Sequence, residues 1–271
     1  FEVITGMNID YFGTGEYPYN TVLKEKTCET LANNLRAHGY YSTAIHNNTA
    51  TFYDRNLVFS NMGFDRFVSS DFMSDLEYTS VGWVKDNCMV KEIEKALSST
   101  VETDLVYAIS VQPHGKYPDK YEQLGETLID VTFKKDFSTD DKVGYTYFIN
   151  QLYEVDCVLK DIITMINNYS EPVMLVLYGD HLPNFEMIDS DYYTNNLFSS
   201  EYVIYTNYEY HIDDKDLTTY QLGSYILDTI GCETGILNAL HQTKDSNDQY
   251  YDYLEMLEYD MLFGERYIWN K

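Results

Sequence analysis

The stretch Pro172–Phe185, PVMLVLYGDHLPNF, decides how the chain is read. Val173 to Tyr178 is an apolar run of strand length, and Gly179 ends it. Asp180 and His181 then stand side by side, and Pro183 prevents a helix from starting at once. A continuous apolar run suits a strand covered on both faces, as in a parallel sheet. In open α/β sheets, ligands collect beyond the carboxyl ends of such strands. A carboxylate and an imidazole at that place read two ways: as a capped turn with a packed ring, or as half of a metal site.

Outward from this stretch, strand-like and helix-like runs alternate. Upstream, Tyr145–Asn168 carries apolar residues at Phe148, Leu152, Val155, Leu159, Ile162, Ile163 and Ile166, a helical spacing. Before it, Val90–Ser99 reads as a helix and Asp104–Gln112 as a strand. Cys28–Gly39 reads as a helix stopped by Gly39, followed by a strand over Tyr40–Asn48. Downstream, Glu201–Tyr208 is strand-like, while Thr218–Gly231 and Gln249–Phe263 are helical. The polar segment Tyr117–Asp141 reads as a long surface loop. The pattern predicts an α/β fold with a mostly parallel sheet and helices on both faces. No linker composition divides the chain, so residues 1–271 are read as one domain with a smaller C-terminal subregion over 208–271.

At 271 residues the chain is long enough for a sizeable core, and 44% hydrophobic with 23% charged residues suits a globular protein. Forty-four Asp and Glu against 18 Lys and Arg give a net charge of −26, which repels nucleic acid and anionic surfaces at long range. An anionic substrate would then need a few local cations. The four cysteines, Cys28, Cys88, Cys157 and Cys232, form no C-x-x-C pair, and Cys28 and Cys157 read as core fillers. No apolar run reaches the ~18–20 residues of a membrane span. The chain opens with FEVITGMNID, without an initiator methionine, and reads as an excised portion of a longer protein.

Three of the six histidines fall at strand ends: His46, His114 and His181. Asp180 and His181 suit zinc, manganese or iron, with further ligands to come from elsewhere; His46, His114 and Glu2 are candidates by position. Arg55, in TFYDRN, is a planar donor fork for phosphate or carboxylate, or else the partner of one of the many acids. His38, His211 and His241 read as structural or surface residues. No G-x-S-x-G elbow, P-loop or dinucleotide fingerprint is present. The residues alone point to metal-assisted transfer or hydrolysis at a phosphoryl or sulfuryl centre.

Four blocks in order, FEVITGMN, AIHNNTATFYDRNLVFSNMGFDRF, SVQPHGKYPD and LYGDHLP, resemble the lipoteichoic acid synthase family. These are sulfatase-type phosphoglycerol transferases with the alkaline-phosphatase-like fold, and the resemblance covers Phe1 to about Asn207. It implies glycerophosphate transfer from phosphatidylglycerol, through a threonine nucleophile, to a cell-envelope polymer or glycolipid. It implies one divalent metal, manganese before magnesium or zinc, held in part by Asp180 and His181. It implies substrate binding by His46, Arg55 and His114, and a membrane-anchored parent acting on the extracytoplasmic face. Tyr53 and Asp54 stand where the family has tryptophan and asparagine. The attacking threonine and the ligand glutamate are expected upstream of Phe1, so Thr5 is not the nucleophile and the 271 residues alone are expected to be inactive, poorly soluble and weak in metal binding. The rival readings are another phospho- or sulfo-ester enzyme of this fold and an inactive headgroup-binding relative. A sulfatase with a cysteine-derived nucleophile is disfavoured, since Cys28 has no C-x-P-x-R setting.

Overall fold

A computed structural model describes residues 1–194, 196–243 and 249–269. The chain divides into two compact units. Unit 1 comprises Phe1–Ser74, Lys91–Ile109 and Asp214–Lys271; unit 2 comprises Asp75–Val90 and Ser110–Asp213.

Unit 1 is built on a parallel sheet with strand order β2-β1-β3, where β1 is Tyr40–His46, β2 Arg66–Ser69 and β3 Thr103–Ile109. In β1, the middle strand, Ser42 to His46 are buried without a break, because a central strand is covered on both faces. Register pairs His46 with Ser69 on one side and with Ile109 on the other. The seven residues of β1 fall within the strand expected over Tyr40–Asn48, whereas β2, with four residues, has no counterpart among the expected strands.

The helices of unit 1 are α1 (Glu2–Thr5), α2 (Leu31–Arg36), α3 (Arg55–Asn61), α6 (Thr219–Thr229), α7 (Ile236–Thr243) and α8 (Tyr250–Leu262). Between them lie α4 (Asn87–Leu97), which the unit boundary crosses, and α5 (Thr139–Asn167) of unit 2. Thr30 caps α2 by accepting from the Asn33 N–H, and Gly39 ends the segment at φ 84°. One apolar cluster joins Ile4, Met7, Phe59, Leu237, Leu254 and Met261, so the chain's two ends share a core. Gly223 lets α6 lie against α1: a Cβ there would stand 2.2 Å from the Val3 carbonyl oxygen. The buried Glu29 carboxylate accepts from the N–H groups of Ile236, Leu237 and Asn238, at 2.7, 3.2 and 3.1 Å, and so closes the first turn of α7.

In unit 2, β4 (Met174–Tyr178) and β5 (Tyr202–Thr206) pair antiparallel, from Met174 with Thr206 to Tyr178 with Tyr202. The expected parallel order therefore holds for the first three strands and not for this pair. The physical reason is the connection: between Tyr178 and Tyr202 the only regular element among the described residues is a 3₁₀ turn, Asp189–Asp191, whereas a parallel crossover needs a helix or its equivalent. α5 starts from Ser138, whose hydroxyl accepts from the Asp141 N–H. Its buried stripe is Val143, Tyr147, Asn150, Gln151, Val158, Ile162 and Ile166, while Leu152 is exposed. Cys157 is also exposed, so it is not the core filler expected; it lies off that stripe. Cys28 is fully buried, just ahead of α2.

Candidate functional site

β4 ends at Tyr178, and Gly179 carries the chain into the turn that presents Asp180 and His181. Their side chains are 70% and 58% exposed, and His181 Nε2 lies 3.9 Å from Asp180 Oδ1. His181 Nδ1 is 2.8 Å from the Leu182 carbonyl oxygen. A carbonyl can only accept, so in the neutral ring Nδ1 carries the proton and Nε2 the lone pair, on the side of the carboxylate. That is the tautomer a metal-ligating histidine adopts.

The turn after the third strand brings His114 beside this pair, with ring centroids of His114 and His181 5.4 Å apart and the planes at 85°. His114 Nδ1 is bonded to the Gly115 carbonyl, which assigns its proton in the same way. Trp83 stacks edge-on against His114 at 5.2 Å. It comes from a short turn in which Tyr78 is bridged to Val84 and the Thr79 N–H donates to the Trp83 carbonyl at 2.7 Å. Below the His114 turn, Asp86 Oδ1 accepts from the N–H groups of Val111 and Gln112, both at 3.3 Å, and the Asp86 N–H donates to Gln112 Oε1 at 2.7 Å. Tyr117 completes the turn, its hydroxyl donating to the Pro113 carbonyl at 3.4 Å, and burial pushes that hydroxyl up to about 12. The sequence reading singles out neither Trp83 nor Tyr117. Tyr117 sits in the same QPHGKYP block as His114, which is the signal that could have found it.

His46, Arg55 and Glu2 belong to unit 1. His46 is the last residue of β1 and is buried; its Nδ1 donates to the Ile109 carbonyl at 2.9 Å, at the paired end of β3. Arg55 opens α3, after Tyr53 and Asp54 at φ 59° and 48°. Its guanidinium stands 5.5 Å from the Phe52 ring centre and 5.6 Å from that of Tyr53, a cation–π setting that fixes the fork. Asp54 is 2.6 Å from Lys24 Nζ. Glu2 lies in α1, and burial holds its carboxyl above the ordinary carboxylate range. The structure thus brings His114, Asp180 and His181 together within unit 2, and places His46, Arg55 and Glu2 separately in unit 1. Of the other histidines, His241 is buried between the Gly6 carbonyl and the Tyr250 hydroxyl, at 2.7 and 2.8 Å. His38 is bonded to Thr234, and His211 is exposed beside Asp213.

Among the described residues no group of three or more His, Cys, Asp or Glu is gathered as a metal cage. The pair itself fits a divalent cation: one carboxylate oxygen and one imidazole lone pair, on the same turn, with the other ring nitrogen already held. It supplies two donors.

The model describing the sulfatase family matches residues 1–231. A Rhizobium meliloti (strain 1021) protein named for cyclic β-1,2-glucan modification is 27% identical over 183 residues, 68% of this chain and 28% of that protein. The lipoteichoic acid synthase-like YvgJ of Bacillus subtilis (strain 168) is 28% identical over 155 residues, 56% of this chain and 24% of that protein. The chain therefore spans about a quarter of the length of these curated relatives. Among solved structures, the Streptococcus pyogenes phosphoglycerol transferase GacH, in complex with sn-glycerol-1-phosphate, superposes with a TM-score of 0.75 at 19% identity, covering 98% of this chain and 73% of that one.

Proposed function

Because the chain belongs to the sulfatase family, we propose that it is the glycerophosphate-handling part of a metal-dependent phosphoglycerol transferase. The donor is phosphatidylglycerol, and the acceptor is an envelope polymer or glycolipid. The relative named for glucan modification supports a saccharide acceptor. The observation that carries the reading is the Asp180–His181 pair beyond β4, with His114 beside it.

Asp180 Oδ1 and His181 Nε2 would hold the cation, manganese before magnesium or zinc. Bound there, it supplies positive charge that activates an attacking oxygen and offsets charge on the phosphoryl group. Asp180 supplies negative charge to the site, and His181 supplies a neutral donor whose orientation Leu182 fixes. His114, with its Nδ1–H committed to Gly115, would donate from Nε2 to a phosphoryl oxygen or to the leaving-group oxygen when the ring carries its second proton. His46 and Arg55 are proposed to bind the glycerophosphate; Arg55 brings the local cation that a chain of net charge −26 needs for an anionic substrate. The nucleophile is the threonine that the family resemblance implies upstream of Phe1. The parent protein is proposed to be membrane-anchored and to act on the extracytoplasmic face. Among the described residues no helix is long and apolar enough to cross a membrane.

Diacylglycerol release from phosphatidylglycerol in manganese buffer tests this reading. The protein is the chain extended upstream of Phe1 to include that threonine, with His181→Ala as the control. Metal-dependent release that the substitution removes is the expected result. A folded, metal-bound protein that releases nothing would redirect the search to another headgroup. A protein that neither binds metal nor releases lipid would favour the headgroup-binding relative.

A further inference from the structure

Asp54 stands just before α3, where an aspartate usually accepts from the helix's first N–H groups. Among the described residues it makes no such bond. Its backbone is left-handed, at φ 48°, as is that of Tyr53 before it, at φ 59°, whereas a capping residue is extended. The carboxylate goes instead to Lys24 Nζ, at 2.6 Å. Lys24 ends the short 3₁₀ turn Val22–Lys24, and that turn is fastened to the same helix. Leu23 is fully buried, and Asn61, the last residue of α3, donates from Nδ2 to the Leu23 carbonyl at 2.8 Å. The Lys24 turn thus meets α3 at both ends, by an ion pair at Asp54 and by an amide at Asn61. Arg55 follows Asp54 directly, with its guanidinium beside the rings of Phe52 and Tyr53.

We propose that Lys24 is a positioning residue for the anion that Arg55 binds: by holding the Asp54 carboxylate, it keeps Asp54 from cancelling the Arg55 charge in front of a glycerophosphate. This rests on the reading of Arg55 given above. Consecutive Cα atoms lie ~3.8 Å apart, and charges are felt over ~8 Å at physiological salt, so a carboxylate one residue away acts on the guanidinium directly. Asp54 and Arg55 alone are neutral together; with Lys24 the group carries one positive charge. In a chain of net charge −26 a phosphate is repelled at long range, and such a local surplus decides whether it stays. The side chains of Lys24 and Asp54 are 33% and 50% exposed, and an ion pair in that setting adds little to stability. Its consequence is therefore electrostatic.

The test titrates racemic α-glycerol phosphate with the 271-residue chain and reads binding by phosphorus NMR. The variants are Lys24→Gln, Asp54→Asn, the two together, Lys24→Arg and Arg55→Gln. Lys24→Gln should weaken binding about fivefold, the scale of one exposed charge acting across several ångströms. Adding Asp54→Asn should restore the affinity to within about twofold, because the local charge is again one. Lys24→Arg keeps the pair and should bind as the unsubstituted chain does. At about 1 M salt the loss in Lys24→Gln should vanish. A double variant that stays as weak as Lys24→Gln would overturn the proposal, since Lys24 would then hold the anion itself. So would an unchanged affinity in Lys24→Gln. A weaker affinity in Asp54→Asn alone would also overturn it, by making the carboxylate a ligand. If the unsubstituted chain binds no glycerol phosphate, or Arg55→Gln binds it equally well, the reading of Arg55 fails instead. The Arg55 Nε–H signal without ligand then still decides the role of Lys24. It should move in Lys24→Gln and return in the double variant, and an unmoved signal overturns the proposal.

Discussion

In unit 1, Glu29 and Glu258 are 2% and 1% exposed, and each accepts from backbone N–H groups. In unit 2, Asp180 and His181 are 70% and 58% exposed and face each other across 3.9 Å. Carboxylates thus serve two ends, and unit 2 holds the buried kind as well in Asp86, which accepts from the Val111 and Gln112 N–H groups. Three backbone N–H groups meet the buried Glu29 and make it a fixed joint, while the single bond to the buried Glu258 leaves its carboxyl raised to about 8. Asp180, exposed, accepts from no backbone N–H among the described residues and is available to a ligand. In a chain with 44 acids, burial together with several backbone partners marks out a structural carboxylate such as Glu29, and number does not.

The strongest attempt to break this division is His181→Ala in the upstream-extended protein. The expected loss of phosphoglycerol transfer is roughly a thousandfold, on the scale of losing a principal metal ligand. The melting temperature should stay within about 2 °C, since the side chain is mostly in solvent. A large fall in melting temperature would show that the exposed turn is a joint after all. Gly223→Ala in unit 1 should do the reverse. A Cβ 2.2 Å from the Val3 oxygen cannot be accommodated without moving α1 from α6, at a cost of about 3 kcal/mol read by urea unfolding. A fully stable Gly223→Ala would mean that the two helices separate freely.

Much of the fold is legible in the amino-acid order. Tyr40–Asn48, Asp104–Gln112, Val173–Tyr178 and the long helix are strong periodic or apolar runs, and each forms the expected element. The strand-end histidines follow from the same runs. What is not legible has physical causes. β2 is four residues, too short for a period to register. α7 depends on Glu29, some two hundred residues away in sequence, to satisfy its first N–H groups, and no local signal announces such a partner. Gly235 precedes it at φ 105°, with Glu29 Oε1 2.1 Å from where a Cβ would lie, which explains why glycine stands there. The antiparallel β4–β5 pair is readable in principle: no helical period lies between the two strands, and alternation elsewhere in the chain masks that gap. The stripe of α5 is displaced because Asn150 and Gln151 are buried through polar partners that a count of apolar residues ignores.

That dependence of α7 on a distant carboxylate can be sharpened by Glu29→Ala. The N–H groups of Ile236, Leu237 and Asn238 lose their acceptor, and the Asn34 amide loses its partner at 3.2 Å. Buried donors left unsatisfied cost more than the bond itself contributes, so about 2–3 kcal/mol is expected. Hydrogen exchange should localise the loss to α7. Uniform loss across unit 1 would mean that α7 does not unfold by itself.

Glu258 gives the finest test of what a buried carboxylate does. It lies in α8 and accepts from the Asn8 N–H at 2.7 Å. Burial raises its carboxyl from 4.5 to about 8, the Asn8 bond opposes this, and Asp10, Glu255 and Glu2 push it up further. Below 4.5 the group is protonated both folded and unfolded, and it does not affect the balance. As the pH climbs toward 8, the unfolded chain gives up this proton while the folded chain keeps it. Stability contributed by this site is therefore greatest at the acid end and is lost on the way to pH 8. Glu258→Gln cannot ionise and retains an acceptor for Asn8. Its melting temperature should flatten across that window and exceed the unsubstituted chain's at the alkaline end. Equal slopes for the two proteins would place the proton on another group, and a lower melting temperature for Glu258→Gln at both ends would make the carboxylate a net stabilising joint like Glu29.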